Sequence, residues 1–179
     1  MLRTLVLSGA AALSLAAGAP VLAQPAMPAP ASTPAPSTAD FITAAIQTDD
    51  YERQAGRIAQ TSGRTADVRS FGAMMVTDHT KTTEDLKAAI QQAGLAVPNP
   101  RLSNDEAQML NALRLSIGQP TFDATYMDQQ VKVHQKALAL MQAYSQGGQN
   151  ALLRNAATTT IPTVERHLNL AQEIRKNLR

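Results

Sequence analysis

Apolar side chains recur along this chain every three to four residues, and no segment shows the alternating, β-branched pattern of a half-buried strand. The first predicted helix begins near Ser37–Asp40, where Ser, Thr and Asp offer N-caps, and ends at Gly63. Its inward stripe is Phe41, Ala45, Thr48, Glu52, Ala55 and Ala59. The second runs from about Thr65 to Gly94, with Val68, Gly72, Met75, His79, Thr82, Leu86 and Ile90 on one face. Gly94, followed by Pro98 and Pro100, closes it. Ser103-Asn104-Asp105-Glu106 is a capping-box pattern that opens a short helix to about Ile117.

A third long helix follows over roughly 121–145, with Phe122, Tyr126, Val133, Ala137, Leu140 and Tyr144 on its stripe. Met127, Val131, His134, Leu138 and Met141 lie beside them. The fourth, about 150–176, carries Leu153, Ala157, Val164, His167, Ala171 and Ile174. Pro162 inside it is expected to bend it, because proline removes one backbone hydrogen bond. The connection between the second and third long helices, residues 95–120, is far longer than a tight turn. Long crossovers of this kind are a feature of ferritin-like bundles, although the short helix could equally cap one end. The expected fold is therefore all-α: a ferritin-like four-helix bundle with a short extra helix in the crossover between helices two and three. Spacing alone leaves open whether the third long helix runs parallel or antiparallel to the second.

The N-terminus breaks this pattern. Arg3 precedes an apolar Leu/Val/Ala run from Leu5 to Leu15, and Val21-Leu22-Ala23 supplies the small residues a signal peptidase reads. The run is too short and too Ala-rich for the ~20 apolar residues of a spanning helix. Residues 1–23 read as a secretory signal cleaved near Ala23, which places the mature chain in the periplasm or outside the cell, with no membrane span. Residues 24–39 hold Pro at 25, 28, 30, 34 and 36 and read as a Pro/Ala-rich disordered linker. Residues 40–179 are left as one bundle domain.

Composition then removes whole classes of function. With no Cys there is no disulfide scaffold, thiol chemistry or Cys-based metal site. Six aromatics, and 15 cations against 14 acids once Arg3 leaves with the signal, are not the profile of a nucleic-acid binder. No Walker A, G-x-S-x-G or G-x-G-x-x-G motif occurs.

What the chain does have is three histidines, each on or beside the inward stripe of a different long helix: His79, His134 and His167. The first helix contributes Glu52 at an inward position, and Asp78 adjoins His79. By the ~1.5 Å rise per residue all fall near mid-height of the bundle. In a Cys-free protein, imidazole and carboxylate are the ligands for a transition metal such as Zn, Fe, Cu or Mn. Asp78 serves either as a further ligand or as the acceptor that orients a histidine. Met75, Met127 and Met141 add sulfur nearby, and a Met/His set would favour copper. Against this stands a bland alternative. Inward His and Met are commonly ordinary core residues, and a mutual Glu–His network would account for all of these side chains. The two functional readings are thus an exported metal-binding bundle and a non-metal envelope or stress-related interaction protein, partnered by an envelope protein or by its own copies.

Several motifs together resemble the exported bacterial family called domain of unknown function 4142. They are Asp40-Phe41, Ala44-Ala45 and Glu52, then Val68-x-x-Phe71 and Met75-Val76-x-Asp78-His79. Phe122-Asp123-x-x-Tyr126, His134 and Ile161-Pro162-x-x-x-x-His167-Leu168 continue the match over nearly all of 40–175. The resemblance implies a ferritin-like four-helix bundle with an export signal, and no particular reaction. One departure from ferritin-like di-iron proteins stands out. Their Glu-x-x-His pairs are absent, because Val76, Val131 and Val164 stand three residues before the three histidines. A mononuclear His-rich site is the metal arrangement these residues allow.

Overall fold

The computed structural model describes residues 35–178. The expected signal, residues 1–23, and residues 24–34 of the expected linker lie outside the described residues. Five helices are present: α1 Thr38–Ser62, α2 Ala66–Gln92, α3 Asn104–Leu115, α4 Phe122–Gly147 and α5 Ala151–Asn177. Among the described residues there is no strand. Thr38 and Ala39, assigned above to the linker, belong to α1.

Local chemistry sets the ends. The side chains of Ser37, Thr65, Ser103 and Asn150 accept the backbone N–H groups of Asp40, Val68, Glu106 and Leu153, respectively. A cap of this kind contributes about 1 kcal/mol. At Ser103 the box is complete, since the backbone N–H of Ser103 donates to Glu106 Oε2 at 2.9 Å. Gly94 ends α2 with φ +71°, a left-handed conformation that a side chain disfavours. Helix α5 continues through Pro162 to Asn177 as one element. The proline and Thr158, whose carbonyl loses its helical partner, are both exposed, so water can take the freed acceptor.

Helices α1 and α2 pack along each other, as do α4 and α5; lighter α2–α5 and α1–α4 contacts complete a square, with α3 against α1 and α4. Two apolar clusters define the helix directions. In one, Tyr51, Ala55 and Ala59 of α1 meet Val68, Phe71 and Met75 of α2, Phe122 and Tyr126 of α4, and Ala171 and Ile174 of α5. In the other, Phe41 and Ile46 meet Leu86, Ile90, Tyr144, Leu153 and Ala157. The beginnings of α2 and α4 thus share one end with the ends of α1 and α5. Helices α2 and α4 run parallel, opposite to α1 and α5. The chain between them must travel back along the bundle, and α3 lies on that return, placing Leu110 and Leu113 in the first cluster.

Glycine sets the α1–α2 spacing. A Cβ on Gly72 would stand 2.7 Å from both the Gly56 carbonyl oxygen and the Gln60 nitrogen. One on Gly56 would stand 2.7 Å from the Gly72 carbonyl oxygen. The two backbones therefore meet without side chains between them, four to seven residues from the polar layer that follows.

Candidate metal centre

Between the apolar clusters the bundle interior turns polar. Asp49 and Glu52 of α1, His79 of α2, Gln130 and His134 of α4, and His167 of α5 are all buried there. The three imidazoles form a near-equilateral triangle, with ring centroids 5.7 Å apart for His79–His134, 5.5 Å for His79–His167 and 5.3 Å for His134–His167. One ring nitrogen from each lies within 4.8 Å of the others.

The outward-facing nitrogens are all tied down. His79 Nδ1 is 2.8 Å from Asp49 Oδ1, His134 Nδ1 is 2.9 Å from the Gln130 carbonyl, and His167 Nε2 is 2.8 Å from Asp78 Oδ2. Carboxylate and carbonyl oxygens accept only, so the bonded nitrogen carries the hydrogen in each ring. In the neutral rings the lone pair then falls on the other nitrogen. Those three atoms, His79 Nε2, His134 Nε2 and His167 Nδ1, are buried and have no hydrogen-bond partner. Three lone pairs converge with no donor among them. This is the arrangement in which second partners orient metal-bound histidines.

The surroundings reinforce the orientation. Asp49 Oδ2 also lies 3.0 Å from the Thr82 hydroxyl and 2.9 Å from that of Thr83. Arg53 bonds Thr83 from the outer side. Asp78 is braced by Arg166 Nη2 at 3.0 Å. Burial holds the His134 imidazole down to about 3, with the neighbouring His79 and His167 adding to the effect. Burial likewise takes His167 down to about 4, against the opposing Asp78 hydrogen bond. For His79, burial alone would lower the value, but the Asp49 hydrogen bond and charge, with Glu52 and Asp78, raise it above the ordinary imidazole value.

Glu52 is enclosed completely. Its Oε2 accepts from Gln130 Nε2 at 2.7 Å, while Oε1 has no hydrogen-bond partner and lies 3.7 Å from His134 Nδ1. Burial pushes its carboxyl up to about 7, although the His79 charge and the Gln130 bond pull the other way. Of the five candidate residues, the structure brings together the three histidines. Glu52 stands behind His134, and Asp78 behind His167. Met75 and Met127 pack in the first apolar cluster, and Met141 against the second.

Sequence reading missed Asp49 and Gln130. Asp49 extends the run Phe41, Ile42, Ala45, Ile46 at helical spacing, so a carboxylate on an apolar stripe was the available signal. Gln130 stands one turn before His134. The inward threonine of α2 is Thr83, with Thr82 half-buried beside it.

A family model, Domain of unknown function (DUF4142), matches residues 23–174. The chain belongs to this family. No curated protein and no solved structure matches. The DUF4142 match takes in all five helices up to Ile174 of α5, and with them every residue of the polar layer. None of the described helices is long and apolar enough to cross a membrane.

Proposed function

We propose that this DUF4142 chain is an exported, ferritin-like bundle that binds one transition-metal ion through His79, His134 and His167. The observation that carries the reading is the convergence of three buried, unpartnered imidazole nitrogens whose opposite nitrogens are each anchored. An ion bound at the ~2.0–2.1 Å typical of imidazole would draw the rings inward, since nitrogens around a tetrahedral ion stand about 3.3 Å apart. Asp49 and Asp78 orient their rings, and the buried Glu52 carboxylate offsets the positive charge. The parallel α2–α4 pair and the long α3 crossover support the ferritin-like assignment. The Arg3, Leu5–Leu15 and Ala23 pattern supports export to the periplasm.

The chemistry proposed is binding. Di-iron oxidation calls for bridging carboxylates, and valines hold the positions three residues before each histidine. A second reading has one observation in its favour, the raised His79. A protonated ring there would donate across the triangle and make the cluster a structural network in an envelope interaction protein or homo-oligomer. Metal analysis of untagged protein separates the two, together with melting curves in added Zn, Cu, Fe or Mn. One equivalent bound, lost when all three histidines are replaced by Gln, supports the site. No bound metal and no thermal stabilisation by any of the four ions rejects it.

A further inference from the structure

Three protein nitrogens do not complete the coordination of a divalent first-row ion, which takes at least four ligands. Among the described residues no fourth His or carboxylate joins the group. The packing one helical turn away shows what is left beside it. Thr82 stands three residues after His79, Ala137 three after His134, and Val164 three before His167. Given the helix directions, all three lie on the same side of the histidine layer. They line a small cavity of about 20 Å³ that also touches His79 and Thr163. That volume holds about one water molecule.

The cavity does not stand alone. A surface groove of about 390 Å³ runs beside it, and Ala45, Asp49, Thr82, Met141 and Thr160 line both. Met141 and Thr160 are half-buried, so the partition between groove and cavity is made of short or flexible side chains. A small solute in the groove therefore has only these side chains between it and the histidine layer. The charged groups lining the groove are Asp49 and Asp85, both acidic, so attraction for an incoming ligand comes from the ion itself. Three neutral imidazoles leave the charge of a divalent ion intact, while Glu52, Asp49 and Asp78 stand behind the three rings and offset it from the far side.

We propose that an ion held by His79, His134 and His167 keeps one exchangeable coordination position facing this cavity, which accepts a single small monodentate ligand by way of the groove. The inference rests on the three-histidine reading above and adds that the site is open rather than closed. An open position is what separates a metal centre that meets an external ligand from one that only braces the fold.

The test uses untagged full chain loaded with Co(II), its content measured, then titrated with sodium azide while the visible absorption of the ion is followed. A saturable change at one azide per cobalt is expected. Val164→Ile adds one methylene to a cavity of this size and should weaken azide binding at least tenfold at unchanged cobalt content. Cobalt-loaded wild type that is silent to azide overturns the open position alone. Azide binding unaffected by Val164→Ile overturns the assignment of that position to this cavity. Failure to take up cobalt overturns this proposal and the three-histidine reading together.

Discussion

Loading the three histidines should release two protons at about pH 5.5, and only one in a Glu52→Gln protein. His134 and His167, held down to about 3 and about 4, are already neutral there and offer their lone pairs without losing a proton. His79 is raised, so it holds a second proton on Nε2 that an ion must displace. Glu52 titrates at about 7 and keeps its proton at this pH until a nearby cation drives it off. Its Oε1 lies 3.7 Å from His134 Nδ1, within the field of any ion on the other side of that ring. Two protons exchanged means that the apparent affinity falls about a hundredfold for each pH unit of acidification between about pH 6.5 and 4.5. Three ordinary imidazoles would lose close to a thousandfold per unit. In Glu52→Gln the slope falls to about tenfold. Calorimetry with Zn(II) in buffers of different ionisation enthalpy counts the protons directly, and chelator competition gives the slope. Release of three protons by wild type, or an equal count in both proteins, would refute the assignment of His134 and His167 as neutral ligands beside a protonated Glu52.

The metal-free protein should show the same groups acting in opposite directions. Between about pH 4.5 and 6 the unfolded chain protonates His134 and His167 while the folded chain does not, so their contribution falls with acidification. Glu52 opposes this, because the folded chain keeps its proton up to about 7. Urea unfolding over that range should therefore give a pH slope about twice as steep in Glu52→Gln as in wild type, and equal slopes would contradict the burial of these groups. Asp49→Asn should weaken Zn(II) binding by about tenfold or more, since it disturbs the anchor of His79, while the chain stays helical by circular dichroism. Gly72→Ala places a methyl 2.7 Å from two backbone atoms and 2.9 Å from Ala59 Cβ. The overpacking, about 1–3 kcal/mol, outweighs the gain of about 1 kcal/mol in helix propensity. A lowered Tm is expected in differential scanning calorimetry, and a raised one would show that α1 and α2 do not approach so closely.

The five helices were legible because each depends on neighbours in sequence. A 3.6-residue apolar stripe, a capping Ser or Thr and a glycine stop act within one or two turns, and Ser103-x-x-Glu106 formed its box as the pattern required. The histidines were legible as candidates for the same reason: each sits on an inward stripe that periodicity reveals. Asp49 was passed over because an acidic residue on an apolar stripe reads as a boundary of that stripe until a partner on another helix is known. Its partner, His79, is 30 residues away. Pro162 removes one backbone hydrogen bond, and its exposure lets α5 continue through it as one element.

Sequence alone determined where the helices lie, which faces turn inward, and that any metal site must be built from His and carboxylate, since there is no Cys. Tertiary structure decided the rest. The long crossover is compatible with either direction of α4, and only the apolar clusters at the two ends make α2 and α4 parallel. It also decided which imidazole nitrogen faces the centre, because tautomer and ring orientation depend on acceptors supplied by Asp49, Gln130 and Asp78. Helical spacing places a side chain on a face to within a fraction of a turn. Converging lone pairs are set at ångström scale by contacts between helices far apart in the chain, and those contacts exist only once the bundle has packed.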